Sequence, residues 1–289
     1  MKKNRSNIVL VLLLILGLSL ILYPSVSDYW NSFHQTRAIA HYAEAVADIN
    51  TERCESMWQS AVAYNDALAT RGIRWELTDE QREVYDAELD VTGTGIMGYI
   101  EIPQIDCFLP IYHGTDEGVL QIAIGHLEGS SLPVGGKSTH CLLSGHRGLP
   151  SARLFSDLDQ LREGDAFILR TLDETLTYEV DQIRIVLPYE LDDLLIEEGK
   201  DLCTLITCTP YGVNSHRLLV RGHRVENTEQ AQAIRVTGDA FQIDSIVVAP
   251  LVALPMLFIL LVVLLINSGR RRARSRVLSR MEVKTDETK

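Results

Sequence analysis

The stretch from Thr204 to Arg224 constrains this chain's architecture more than any other. The run Thr204-Leu-Ile-Thr-Cys208 is apolar and β-branched, and a Pro-Tyr-Gly-Val-Asn turn follows Thr209. A second apolar run opens at Arg217, nine residues after Cys208. Turn residues between two β-prone runs predict strand, turn, strand. Such a hairpin sets the Cys208 thiol and the Arg217 guanidinium at one rim of a sheet. A thiolate persists near neutral pH only where its surroundings favour the negative charge. The pair therefore has the layout of a cysteine nucleophile with an electrostatic partner.

A separate segment, Thr139-His-Cys-Leu-Leu-Ser-Gly-His146-Arg-Gly-Leu-Pro150, reads as another strand, ending at a histidine before a Gly/Pro turn. Cysteine, histidine and arginine, each at a strand end, resemble the sortase family of transpeptidases. Thr-Leu-Ile-Thr-Cys at 204–208 and Gly-His-Arg-Gly-Leu-Pro at 145–150 match its signatures. Met97-Gly-Tyr-Ile-Glu-Ile-Pro103, Leu109-Pro-Ile-Tyr-His-Gly-Thr115 and Gly125-His-Leu-Glu-Gly-Ser-Ser-Leu-Pro133 resemble its pilus-assembling branch, class C. The resemblance covers roughly residues 90–225 and implies a mainly β fold, a closed sortase-type barrel with short helices. It puts the catalytic histidine at His146, as general acid and then base. Class C members often carry an Asp-Pro-aromatic lid over the cysteine. Residues 65–90 contain no proline, and Trp75 is the one candidate for a substitute lid residue, or else an aromatic packed on the barrel.

Two apolar runs flank this region. Residues 246–266 number 21 and span about 31 Å as a helix, a full hydrocarbon core. Residues 8–23 are shorter and need Pro24 to Val26 to cross. A cleaved signal peptide is the alternative for that first run, but no small-x-small cleavage site precedes Ser27-Asp-Tyr-Trp. Lys2, Lys3 and Arg5 precede the first run, and Arg270 to Arg272, Arg274, Arg276 and Arg280 follow the second. The positive-inside rule then places both termini in the cytoplasm and the segment between outside. The whole chain carries a formal charge of −12. With so many basic residues at the ends, the outer segment is more acidic still. That excludes nucleic acid and anionic lipid surfaces as natural partners.

The expected organisation is a cytoplasmic N-terminus (1–7), a membrane anchor (8–26), a helical region (27–92), a barrel (93–226), a polar linker (227–245), a second span (246–266) and a basic tail (267–289). Within the helical region, apolar residues at helical spacing predict two helices broken near Asn50 and Thr51, and Thr78-Asp-Glu-Gln81 reads as a capping box. Seven β runs are expected between Gly98 and Val225, with helical turns at 154–161 and 191–196.

Five cysteines occur, with no Cys-x-x-Cys pair and no Cys/His spacing suited to zinc, so no metal or cofactor is expected. Cys141 and Cys203 each lie five residues before His146 and Cys208. If the two strands are neighbours, as the resemblance implies, these thiols lie side by side, either paired or as two buried small apolar residues. Arg217 is assigned the substrate carbonyl and developing oxyanion. Thr207, Ser144 and Arg221 are further candidates for substrate contact, against ordinary strand roles and, for Arg221, a surface ion pair.

By resemblance, the expected reaction is cleavage of a Leu-Pro-x-Thr-Gly-like signal near the C-terminus of a pilin. Cys208 forms the thioester, and a lysine of a second pilin resolves it. Anchoring of surface proteins to peptidoglycan is the alternative within the family. A membrane-bound surface protein that binds peptide without chemistry is the alternative from another class. A papain-like protease fits poorly, because its cysteine opens a helix upstream of its histidine.

Overall fold

Three helices and then a run of strands make up the part of the chain that the computed structural model describes, residues 2–227. Among the described residues, those up to Val26 and those from Ser27 to Asn227 fall in separate compact units. Helix α1 (Lys2–Asp48) runs through the first apolar run, with Pro24 inside it, and holds a window long and apolar enough to cross a membrane. The second apolar run, 246–266, its linker and the basic tail lie outside the described residues. Helix α2 (Thr51–Arg71) starts at the expected break. The Asn50 side chain accepts a hydrogen bond from the Arg53 amide at 2.8 Å, and Gly72, at φ +77°, ends the helix. Helix α3 (Asp79–Ala87) opens with both bonds of the Thr78/Gln81 capping box.

The strands are β1 (Ile96–Ile102), β2 (Cys107–His113), β3 (Ile124–His126), β4 (Thr139–Ser144), β5 (Ala166–Thr171), β6 (Glu174–Val186), β7 (Asp201–Thr209) and β8 (His216–Val225). A single-turn helix, α4 (Glu117–Leu120), lies between β2 and β3. They close into a barrel in the order β1-β2-β3-β4-β7-β8-β6-β5. Seven of the eight match the expected β runs. The exception, β3, is three residues long, Ile-Gly-His, too short to show alternation.

Two pairs are parallel, β2 with β3 and β4 with β7. Side chains alternate across a strand. On β4 and β7, Cys141, Leu143, Cys203 and Leu205 point into the barrel core. Leu142 and Ile206 point outward and form a second apolar cluster with Leu219 of β8 and Leu194 of the β6–β7 connection. Strand β7 is thus covered on both faces, which is why its sequence reads as a nearly continuous apolar run.

The helices are fastened to the barrel by buried side chains. The Asn65 side chain bonds both backbone groups of Leu132, at 2.7 and 3.1 Å. The Tyr42 hydroxyl takes the Leu172 amide at 2.8 Å and meets the Met97 carbonyl at 3.1 Å. The Tyr85 hydroxyl accepts from the Gly114 amide at 3.0 Å and bonds His126 Nδ1 at 2.9 Å, and its ring is wholly buried. Removing that hydroxyl strands a buried amide. Tyr85→Phe should cost about 1–3 kcal/mol of unfolding free energy. Denaturant unfolding of the full chain in detergent checks this, and a loss below about 0.5 kcal/mol would show that the hydroxyl carries no stability.

Candidate active site

Strands β4 and β7 run side by side in the same direction, in the register Thr139↔Asp201 through Ser144↔Ile206. The ladder goes one step further, because the Gly145 amide donates to the Ile206 carbonyl at 3.0 Å. Carried on in that register, His146 falls beside Cys208. On the other side of β7, the antiparallel pairing sets Cys208 directly opposite Arg217. Cys208 and Arg217 are thus paired across adjacent strands, about 4.7–4.9 Å apart at the backbone, and His146 follows the end of β4 at the same rim. The outer apolar cluster of Leu142, Ile206, Leu219 and Leu194 lies on the same face, just inside that rim.

Of the five cysteines, all free, Cys208 alone is not buried. Burial pushes the Cys107 thiol up to about 12. Burial and a hydrogen bond to the Asp173 carboxylate push Cys54 up to about 11. Cys141 and Cys203 sit opposite each other in register, so the thiols are neighbours, as expected for adjacent strands. Burial drives Cys203 well up; it also opposes ionisation of Cys141, but hydrogen bonds to Cys203 and His126 outweigh it and lower that thiol. Both point into the barrel core, where no peptide carbonyl can reach them.

His146 is partly exposed, and its Nε2 lies 3.9 Å from the Glu117 carboxylate on α4. Nothing in the sequence points to Glu117, because α4 is a single turn. The Arg217 guanidinium donates through Nη1 to the carbonyls of Asn214 and His216, at 3.3 and 3.2 Å. Among the described residues, Nε and Nη2 make no further bond, so part of the fork is open to a ligand.

The remaining candidates are distributed differently. Thr207 is 2 % exposed, and its hydroxyl donates to the Gly145 carbonyl at 2.8 Å. It therefore ties β7 to the His146 loop and does not face the rim. Arg221 pairs with Thr204, four residues down β7 from Cys208, and its guanidinium is taken by Asp181 and Glu197. It is an ion-paired strand residue away from the thiol. Ser144 is half-buried, next to Ile206 at the end of β4, and stays beside the rim. Trp75, 37 % exposed, follows a segment packed on the turn between β3 and β4. The Arg74 carbonyl before it lies so close to Gly129 that a Cβ there would fall 1.8 Å away. That turn runs along β4 at Leu142 and His140, toward the strand's N-terminal end, whereas His146 and Cys208 occupy the C-terminal ends.

Three of the other histidines are structural. His140 bonds Thr204 and the Leu195 carbonyl, and burial lowers its pKa. His113 and His126 hold backbone carbonyls.

A barrel with this strand order, with a half-exposed cysteine at the rim and a histidine and an arginine at the ends of the neighbouring strands, has the layout of a thiol acyl-transfer enzyme. Comparison with known proteins agrees. The Sortase domain family matches residues 100–225. Sortase D of Bacillus subtilis is 31 % identical over 181 residues, covering 62 % of this chain and 87 % of its own length. Sortase A of Bacillus anthracis is 28 % identical over 224 residues, covering 78 % and 96 %. Among solved structures, sortase C1 from Streptococcus agalactiae is 56 % identical with a TM-score of 0.66, covering 66 % of this chain and all (100 %) of that one. Sortase C-1 from Actinomyces oris is 48 % identical with a TM-score of 0.57, covering 60 % and 99 %. Clostridium perfringens sortase C, solved with the C-terminal cell wall sorting motif, is 41 % identical with a TM-score of 0.59, covering 66 % and 100 %. The chain belongs to the sortase family of cysteine transpeptidases, with class C members as its structural kin.

The placement of Trp75 generates a direct test. Trp75→Ala should change the rate of Cys208 alkylation by a small thiol reagent by less than about tenfold, a closed-state preference under ~1.4 kcal/mol. The pH profile of alkylation, measured alongside, separates shielding from a change in thiol pKa. A rise of roughly a hundredfold at unchanged profile would show that Trp75 does cover the thiol.

Proposed function

We propose that this chain is a pilus-assembling transpeptidase, acting on a Leu-Pro-x-Thr-Gly-like sorting signal and joining it to a lysine of a second pilin subunit. The observation that carries the site assignment is the placement of Cys208, His146 and Arg217 at the ends of three adjacent strands. The class C kinship and the sorting motif bound to the Clostridium perfringens relative support the substrate class.

The chemistry follows from the three positions. The Cys208 thiolate attacks the Thr carbonyl carbon, and the carbonyl oxygen becomes an oxyanion. Arg217 holds that oxygen with the part of its fork not used by Asn214 and His216. Protonated His146 gives its proton to the departing glycine amine as the C–N bond breaks, which leaves a thioester on Cys208. The incoming lysine amine then loses a proton to His146, attacks the thioester and releases the thiolate, forming an isopeptide bond. The basic residues at 2–5 and 270–280 support a topology with both termini in the cytoplasm and the barrel outside. Membrane anchoring would hold enzyme and pilin tails at the same surface.

Cys208→Ala should abolish thioester formation and covalent pilin multimers while the fold survives, and multimers made by this purified variant would refute the nucleophile assignment. Arg217→Lys keeps the charge but loses the planar fork. If Arg217 holds the oxyanion, acylation should slow by roughly 10²–10³, about 2.7–4 kcal/mol of transition-state stabilisation. Arg221→Lys should be much milder, because its partners are Asp181 and Glu197. Equal single-turnover acylation rates for the two variants would remove Arg217 from that role.

A further inference from the structure

The ladder between β4 and β7 stops just short of the site. Its last backbone bond is Gly145 to Ile206, and its last side-chain tie is Thr207 to the Gly145 carbonyl. His146 lies one residue past that last bond, in the loop after β4, while Cys208 stays on β7 opposite Arg217. Something past the ladder has to hold the imidazole and the thiol at a fixed separation.

We propose that Arg147 does this, as a positioning residue that clasps the His146 loop to the chain leaving Cys208. Arg147 directly follows His146. Its Nη1 donates at 3.3 Å to the hydroxyl of Thr209, which directly follows Cys208. Its Nη2 pairs with the carboxylate of Asp159, at the far end of the His146 loop. Its guanidinium carbon lies 5.9 Å from the ring centre of Tyr211, on the loop that follows Cys208. Gly148 presses against that same ring: at φ +75°, a Cβ there would fall 2.9 Å from it. One planar cation thus touches Thr209 and Tyr211 on the thiol side and Asp159 on the histidine side.

The chemistry of the group matters. A guanidinium offers donors in a fixed plane with a stacking face, whereas an ammonium is a point charge. Lysine can keep the Asp159 ion pair, but it cannot bond Thr209 and lie on Tyr211 at once. The side chain is only 10 % exposed, and its Nε is buried without a partner among the described residues. A buried donor left unmade is a penalty to the fold. Stability alone therefore does not account for an arginine here, and a role in geometry does.

This rests on Cys208 and His146 acting as set out above. The test uses the full-length chain in detergent or vesicles with a sorting-signal peptide. Arg147→Lys, Arg147→Ala and Thr209→Val are compared with the parent chain for kcat, KM, thermal unfolding and the pH dependence of Cys208 alkylation. Misplacing reacting groups by about 1 Å can cost 10²-fold. The expected result is a fall in kcat of roughly ten- to a hundredfold for both Arg147 variants, with KM held within about threefold and a displaced alkylation profile. Arg147→Lys should recover unfolding temperature toward the parent without recovering kcat. Thr209→Val should show the same kcat loss in weaker form. If kcat falls only in proportion to the unfolded fraction, or if Arg147→Lys restores it, the clasp is structural and the proposal fails. If the parent chain forms no thioester on Cys208, the reading of the site falls first and takes the clasp with it.

Discussion

The parallel pairing of β4 with β7 is the constraint on which the rest depends. His146 and Cys208 are 62 residues apart in sequence. They become neighbours only because two strands run in the same direction, so that both C-terminal ends reach the same rim. An antiparallel pairing would put one residue at each end of the barrel. Parallel neighbours need a long crossover, and here β5 and β6 supply it within the closed order. Strand β8 then needs only a tight turn from β7 to bring Arg217 opposite Cys208. The barrel is thus a device for converting one non-local register and one local hairpin into a three-residue site.

Depth separates the reactive thiol from the inert ones. Cys203 and Cys208 share a strand, five residues apart, yet alternation turns Cys203 into the core and Cys208 to the outer face. A core thiol must lose a proton without water to stabilise the charge, which raises its pKa unless hydrogen bonds outweigh it, as at Cys141. Cys107 shows this plainly. Cys208 is only half-buried, because its strand ends at the rim. Under the proposed mechanism, the arginine and histidine at the neighbouring strand ends hold the oxyanion and move the protons.

Local features are legible in the sequence alone. The hairpin around Pro210 to Asn214, the Thr78 capping box and the Asn50 break each depend on residues within one turn of one another. The β4–β7 register is legible only through family resemblance, since no periodicity in either strand names its partner. Thr207 shows a different limit. Alternation alone says that Thr207 faces opposite to Cys208, and the structure puts it in the interior, bonded to Gly145. Proximity to Cys208 in sequence is a poor guide to the rim there. Arg221 shares the outward parity of Arg217, but four residues along a strand is about 13 Å, too far to serve the same carbonyl. Glu117 and Arg147 escape sequence reasoning for a third reason. Each acts across loops, and loop contacts leave no periodic trace.

The helical N-terminal region is better understood as a brace than as a cover. At the start of the catalytic unit, Asp28 on α1 accepts from the Arg153 amide at 2.7 Å, and Asn31 donates to the Ser151 carbonyl at 2.8 Å. Both partners lie in the loop that carries His146, which closes on itself where the Phe155 amide meets the His146 carbonyl. One turn further on, Gln35 bonds the Ile122 carbonyl at 2.7 Å, just beyond α4 and its Glu117. Successive turns of one helix therefore hold the segments on both sides of the imidazole. Helix α2 grips Leu132 and α3 grips His126 and Gly114, all away from the thiol. An apolar anchor alone needs none of these bonds. Their position explains why the helix carries polar residues at 28, 31 and 35: this part of α1 sets the outer wall of the His146 loop, while the barrel ladder sets its inner one.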